Sequence, residues 1–143
     1  MKEPRRAIEN ALIGFLTPQA PTVDFFANDG DNTRSLPFCV VMCKELEPLV
    51  GGIKSNAYRA SVKIVYVSHI DDQINAADVH AEEVKFIERG LEQLSTPYQQ
   101  GSIYINGLAI ESLESASEEQ SFANVISCVV GFEETADYDS TPA

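Results

Sequence analysis

Apolar residues follow two different periods along this chain, and each period predicts a different kind of element. Near the N-terminus they recur at spacings of three and four, which is typical of a helix with one buried side. The residues of this stripe are Ala7, Ile8, Ala11, Leu12, Phe15 and Leu16. The pattern predicts a helix over residues 4–16, ended by Thr17 and Pro18 because the residue before a proline disfavours helical geometry.

A period of two predicts strands further along, most clearly over residues 58–70. One face of this strand consists of Tyr58, Ala60, Val62, Ile64 and Tyr66. The alternation is clean until Val65, where both faces become apolar. Four more strands are predicted, over residues 23–27, 36–46, 101–113 and 122–133. A second helix is predicted over residues 75–94, and its buried side is expected to consist of Val79, Val84, Ile87, Leu91 and Leu94.

Three segments are harder to place. Asn106 and Gly107 interrupt the strand over residues 101–113, and this dipeptide fits either a tight hairpin turn or a bulge. The segment 111–121 is acidic and rich in serine, which favours a solvated charged loop and leaves a strand as the alternative. Residues 134–143 carry no core signal and are predicted to form a mobile acidic tail.

The order of these elements predicts the fold class. The strands cluster instead of alternating with helices, which favours a mainly antiparallel sheet over a doubly wound parallel one. We therefore expect an α+β fold with two helices packed on one face of the sheet. The length of 143 residues fits one domain, over residues 1–133.

The charge of the chain restricts its partners. The formal net charge is −12, and it is uneven. Residues 1–70 hold eight Lys and Arg against seven Asp and Glu, whereas residues 71–143 hold two against fifteen. Such an excess argues against specific nucleic-acid binding and against anionic membrane surfaces. No apolar run reaches the roughly 18 residues of a membrane span, so we expect no membrane association.

Two loops resemble functional motifs but depart from the working patterns. In residues 51–55, Ile53 separates the glycines from Lys54 and a strand follows, whereas a phosphate loop needs adjacent Gly and Lys before a helix. Residues 29–32 carry calcium-type oxygens but lack the later acidic positions of a calcium loop. Both are interpreted as ordinary loops.

Two groups of ionisable residues have side chains of the kind used in metal or catalytic sites. His69, Asp71, Asp72 and His80 form the one grouping with transition-metal character. Their spacing matches no zinc signature, so both histidines are interpreted as surface residues near a connector. The carboxylates of Glu111, Glu114, Glu118 and Glu119 have no apolar pocket beside them in sequence. We predict no catalytic residue, no cofactor and no metal.

The three cysteines make an odd and sparse set, which does not fit a disulfide framework. Cys39, Cys43 and Cys128 all sit in apolar runs and are predicted to be small buried core residues.

The loop over residues 48–56 is the predicted contact site. Apolar side chains at a glycine-punctuated loop tip often mark a surface that another molecule covers. The proposed interface residues are Leu49, Val50, Gly51, Gly52 and Ile53. The alternative is that this loop folds back on its own domain.

The layout resembles the tail-terminator and tail-completion proteins of long-tailed bacteriophages, a group that includes minor tail and head–tail joining proteins. The resemblance lies in the N-terminal amphipathic helix, the long polar–apolar strand over residues 58–67 and the helix from Ala77 that carries His80, Val84 and Ile87. Paired strands then close the domain, so the likeness covers roughly residues 5–133.

The resemblance implies a homo-oligomer, usually a hexameric ring, that caps the tail tube and joins it to the head connector. It implies partners in the tail tube protein and the connector proteins, no enzyme activity and no cofactor. The location implied is the tail or neck of a virion, assembled in the host cytoplasm.

Two other functions stay open from sequence. One is an acidic DNA mimic or inhibitor that binds a basic protein, which would need its charges on a single face. The other is a small metal-dependent hydrolase built on His69, Asp71, Asp72 and His80, which would need those residues around one ion.

Overall fold

The computed structural model describes residues 3–27, 37–49, 57–69, 76–118 and 121–134. Two helices and six strands follow one another along these residues. In chain order they are α1 (Pro4–Leu16), β1 (Asp24–Ala27), β2 (Phe38–Pro48), β3 (Ala57–His69), α2 (Ala76–Gln93), β4 (Tyr98–Gln100), β5 (Ile103–Glu118) and β6 (Ser121–Glu134).

Helix α1 has the bounds that its apolar stripe predicts. The carboxylate of Glu3 accepts hydrogen bonds from the backbone amides of Arg5 and Arg6, which would otherwise lack partners at the helix start. Pro4 occupies the first turn, where no backbone donor is required. The six stripe residues are all buried.

The six strands form one sheet in the order β1-β2-β3-β6-β5-β4. Four of its five pairings are antiparallel, but β1 runs parallel to β2, so the sheet is mixed. The α+β class is confirmed. Residues 29–32 after β1 were interpreted as an ordinary loop, and short loops commonly join antiparallel strands. The ten residues between Ala27 and Phe38 are nevertheless enough to carry the chain back along β1, which rises only about 3.3 Å per residue.

Strand β5 corrects the prediction of an acidic loop over residues 111–121. It continues to Glu118 and pairs with β6 along its whole length. The pairing shifts register between Ile105 and Gly107 and again between Ile110 and Ser112. Asn106 and Glu111 are thus extra residues in bulges, so the hairpin reading of Asn106 and Gly107 is wrong. Long-range pairing with β6 overrides the weak strand preference of this serine-rich segment.

Two further differences concern the last strands. Strand β4 was not predicted from the sequence, because three residues are too few to display a period. The predicted tail begins one residue too early: Glu134 belongs to β6 and is only 4% exposed. Residues 135–143 lie outside the described part of the chain.

Both helices pack on the same face of the sheet and share one core with it. Helix α1 contacts β1 and β2 at one end of the strand order and β4 at the other, so the sheet curls around it. Helix α2 contacts α1, β3, β5 and β6. The inward side chains of β3 are Ala60, Val62, Ile64 and Tyr66, which all belong to this core. Side chains at alternate positions therefore point to the opposite, convex face.

Two helical glycines lie at close contacts and should respond oppositely to alanine. A Cβ at Gly14 would meet the Nε2 atom of Gln100 at 2.8 Å, the end of a flexible side chain. At Gly90 it would meet Cδ2 of the fully buried Leu16 at 2.9 Å. Alanine in a helix is favoured by about 0.5–1 kcal/mol, whereas overpacking costs about 1–3 kcal/mol.

We therefore expect Gly14→Ala to raise the free energy of unfolding by about 0.5 kcal/mol and Gly90→Ala to lower it by about 1 kcal/mol. Urea denaturation followed by circular dichroism measures both. Equal shifts in the same direction would contradict the packing of α1 between β4 and α2.

Candidate protein interaction surface

The convex face of the sheet carries a compact group of apolar side chains. Val40, Val65 and Val125 lie side by side on β2, β3 and β6, and the next row holds Phe38, Val67 and Ala123. All six are partly exposed, and neither described helix lies on this side of the sheet. These six residues are called the apolar patch below. A sheet face turned to water usually carries polar residues, so the patch is a candidate contact surface.

Charged residues surround the patch, and most of them are acidic. Asp24 lies beside Phe38 on β1, and Glu114 lies beside Val125 on β5. The described acidic residues of the convex face are Asp24, Glu45, Glu47, Glu111, Glu114 and Glu133, and the basic ones are Lys44, Arg59 and Lys63. The face is therefore apolar toward one end of β2, β3 and β6, and its described acidic side chains outnumber the basic ones.

A shallow cavity of about 260 Å³ lies on the same convex face, toward the ends of β2 and β3 that are far from the patch. Its lining consists of Glu45, Glu47, Arg59, Ser61, Glu111 and Val129. Glu47 lies directly opposite Arg59 on the neighbouring strand, where opposite charges stabilise a cross-strand pair. Glu111 reaches this cavity because it is the extra residue of a bulge.

On the concave face, His80 is the centre of a buried polar cluster. Its Nδ1 atom lies 2.6 Å from the hydroxyl of Ser68, and its Nε2 donates to Oδ1 of Asn124 at 2.5 Å. The ring stacks on Tyr66 at a centroid distance of 4.9 Å and tilts against Phe122 at 5.3 Å. Burial, with a smaller contribution from Glu83, raises the pKa of Tyr66 to about 12.

This cluster joins elements and does not form an open site. Both ring nitrogens of His80 have partners within the fold, so no lone pair is left for a metal ion. A serine beside a histidine is an arrangement used for nucleophilic catalysis, but Ser68 is buried, and the three cavities described for this fold are lined by other residues. The hydrogen bonds and ring contacts of His80 instead connect α2 to β3 and β6.

The structure corrects the interpretation of His80 as a surface residue. Its side chain is 6% exposed, whereas the neighbouring Val79 is 52% exposed. The side chain of His69 and all of Asp71 and Asp72 lie outside the described residues. Within the described ranges, no group of three or more His, Cys, Asp or Glu residues is arranged to hold a metal ion.

The predicted contact loop is only partly within the described chain. Leu49 is 39% exposed, and its amide donates to the carbonyl of Ala57 at 2.9 Å, which closes the β2–β3 hairpin. Val50, Gly51, Gly52 and Ile53 lie outside the described residues, as do residues 29–32 and the rest of the phosphate-loop-like segment. Their role as an interface remains a prediction.

The acidic residues that the structure describes do not gather on one face. Glu111 and Glu114 are exposed on β5, while the side chain of Glu118 and all of Glu119 lie outside the described part. Asp78 and Glu82 are exposed on α2, on the other side of the sheet from Glu111. Within the described ranges, the acidic side chains therefore do not form the single charged face that a DNA mimic requires.

All three cysteines are buried and unpaired, as their apolar surroundings predict. Burial raises the pKa of Cys43 to about 11 and that of Cys128 to about 12, and it raises the pKa of Cys39 as well. The thiolate is the reactive form, so these thiols are protected by both access and protonation.

We expect an aromatic disulfide reagent at pH 8 to leave all three thiols of the native protein unmodified. At that pH only about one thousandth of a thiol with a pKa of about 11 is ionised. Absorbance of the released thiolate measures the reaction, and denaturant should expose three equivalents. Full modification of one thiol within minutes under native conditions would contradict this burial.

The apolar patch was not predicted from the sequence, although one signal pointed to it. The loss of alternation at Val65 marks the place where β3 faces the core on one side and the patch on the other. The remaining patch residues come from β2 and β6. Their position beside Val65 depends on a strand order that local patterns do not contain.

Comparison with known proteins adds information on the fold alone. No family model and no curated protein matches the chain. One solved structure, whose name states no function, matches with a TM-score of 0.50 and 15% sequence identity over 90% of this chain and 91% of the other. At this identity the likeness supports a shared fold and assigns no residue role. Neither described helix has the length and apolar character needed to span a membrane.

Proposed function

We propose that this protein is a structural assembly subunit of a bacteriophage tail. In this role it forms a ring that terminates the tail tube and joins it to the head connector, as a tail-terminator or tail-completion protein does. The apolar patch is the observation that carries the proposal. It gives the proposed subunit a surface for binding another protein.

The energetic argument concerns the two patch rows. Fully burying a Val or Phe side chain contributes roughly 1.5–3 kcal/mol relative to leaving it in water. These side chains are already partly covered by their neighbours on the sheet. Burying the rest of each one on docking therefore contributes only a fraction of that free energy. Six adjacent side chains together still favour association, and the flat β-branched surface suits close packing.

The element order and the charge of the chain support the phage-tail assignment. An N-terminal helix, a long central strand, a second helix and closing paired strands make up the layout on which the resemblance rests. The net charge of −12 repels nucleic-acid phosphates, which suits the wall of a channel through which DNA must pass without binding. Homo-oligomerisation, the hexameric ring, the tube and connector partners and the virion location are parts of this proposal.

A second contact is proposed at the tip of the β2–β3 hairpin. Leu49 is exposed at its start, and Val50 and Ile53 would be the other apolar anchors. Leu49 follows the C-terminal end of β2, whereas Phe38 and Val40 of the patch lie near its N-terminal end. Two distinct contacts of this kind are what a heterologous, ring-closing interface uses.

The test measures the mass of the protein by mass photometry at micromolar concentration, alone and with the tail tube protein of the same genome. We expect a closed oligomer in at least one condition. The double variant Val40→Thr/Val65→Thr, which keeps the β-branched shape but adds hydroxyls to the patch, should weaken assembly at least tenfold. Its thermal midpoint as a subunit should stay close to that of the wild type.

Val79→Thr is the matched control, because Val79 is an exposed valine on α2, away from the patch. It should leave assembly unchanged. A strictly monomeric wild-type protein in both conditions would refute the proposed function.

A further inference from the structure

The apolar patch has a shape that suits one kind of occupant. It spans three neighbouring strands, which are about 4.8 Å apart, and two rows, which are about 7 Å apart along the strands. The result is a stripe about 10 Å long between its outer strands and about 7 Å wide, and it runs across the strands. An α-helix rises about 1.5 Å per residue, so anchors at positions i, i+4 and i+7 cover roughly this length.

Acidic residues stand at both ends of this stripe. On β1, Asp24 continues the row of Phe38 and the partly exposed Phe26 continues the row of Val40. On β5, Glu114 continues the row of Val125. Both carboxylates are exposed. Lys63 lies in the row next to Val65, and further along the same face Glu45, Glu47 and Glu111 lie around Arg59. A helix that lies on the stripe is therefore matched best by Lys or Arg near its two ends.

A second copy of this chain does not offer such a helix among its described residues. The apolar stripes of α1 and α2 are buried in their own core. The exposed side of α2 carries charges of both signs, and Val79 is its one exposed large apolar side chain within the described residues, so it offers no apolar stripe of two turns.

We infer that the apolar patch binds an amphipathic helix of a different protein, with an apolar stripe of about two turns and Lys or Arg at both ends. This helix would form a third layer on the convex face, opposite α1 and α2. The inference rests on the proposed function only in taking the convex face as a contact surface. It adds the chemistry of the partner that the ring subunit would bind there.

A fluorescein-labelled 14-residue peptide of Leu and Lys, with one leucine stripe and lysines at both ends, provides the probe. Fluorescence anisotropy should detect its binding to the wild-type protein. A peptide with Glu in place of Lys, and another with Ser in place of Leu, should each bind at least tenfold more weakly. Val40→Thr/Val65→Thr should weaken binding of the Leu–Lys peptide by a similar factor.

The variant Asp24→Asn/Glu114→Gln tests the charges at the ends of the stripe. Asp78→Asn/Glu82→Gln removes the same two charges from α2 and is its matched control. We expect the first variant to weaken binding of the Leu–Lys peptide at least fivefold and the second to leave it within twofold. Equal effects of the two variants, or equal binding of the Glu peptide, would overturn the inference.

The assembly and peptide-binding measurements together distinguish a failure of this inference from a failure of the proposed function. If the wild type assembles through the patch but the peptide neither binds nor competes with assembly, a second copy occupies the face. The inference then fails while the assembly function stands. If the peptide binds as expected but no oligomer forms with or without the tube protein, the inference stands and the ring proposal fails.

Discussion

Replacing His80 with alanine is expected to lower the free energy of unfolding by about 3 kcal/mol. The substitution removes a buried ring from between Tyr66 and Phe122 and leaves a cavity there. It also removes the hydrogen-bond partners of Ser68 and Asn124, which cannot both regain water inside the fold. The higher helix propensity of alanine offsets only about 0.6 kcal/mol of this loss.

Urea denaturation followed by far-ultraviolet circular dichroism measures the His80 effect, and two comparisons define it. Val79→Ala changes the adjacent, exposed position of the same helix and should stay within about 0.5 kcal/mol of the wild type. Asn124→Ala combined with His80→Ala should cost less than the sum of the single changes, because both remove the same hydrogen bond. A loss below 1 kcal/mol for His80→Ala would contradict the buried cluster.

The position of His80 also shows what the sequence pattern of α2 could and could not predict. The helix was placed within one residue at each end, because its apolar spacing is local. Its first buried residue was assigned to Val79, since valine is the more apolar of two neighbours. Counting back four residues from Val84 instead gives His80, and the structure buries that residue. The helical spacing alone predicts a buried residue at position 80, whereas a choice by side-chain hydrophobicity selects Val79.

The partners of His80 could not be predicted in the same way. Ser68 lies 12 residues before it and Asn124 lies 44 residues after it. They meet only because β3 pairs with β6 in a register that places Ser68 opposite Phe122 and Tyr66 opposite Asn124. Such a register is set by long-range packing and not by neighbouring residues.

The dependence of strand pairing on long-range packing also explains the errors in the predicted sheet. Strand β3 was predicted nearly to its ends because its alternation is strong, whereas Glu111–Glu118 was taken for a loop because its composition is polar. One face of that segment, including the exposed Glu114, turns toward water, so polar residues are compatible with a strand. The apolar patch shares this limitation, since it assembles from three strands that are distant in sequence.

Replacing Glu9 with alanine is expected to lower the free energy of unfolding by about 2 kcal/mol. Glu9 is a buried residue of α1, and its Oε2 atom accepts the backbone amide of Cys43 at 2.8 Å. Cys43 adjoins the bulge of β2 and lies two residues beyond Val41, the last residue paired with β1. No strand therefore covers this amide from the β1 side within the described chain. A buried donor that loses its partner costs about 1–3 kcal/mol, and more when the partner is a carboxylate.

The variants Glu9→Gln and Glu9→Leu separate this hydrogen bond from simple packing. Glutamine keeps an oxygen acceptor at nearly the same reach and should recover most of the lost stability, to within about 1 kcal/mol of the wild type. Leucine fills a similar volume but accepts no hydrogen bond, so it should remain as destabilised as alanine or recover only part of the loss. Amide hydrogen exchange at Cys43, measured by NMR, should accelerate in the alanine and leucine variants and stay slow in the glutamine variant. If leucine restored full stability, the contact between α1 and β2 at this point would be one of apolar packing, and the role assigned to the Glu9 carboxylate would be wrong.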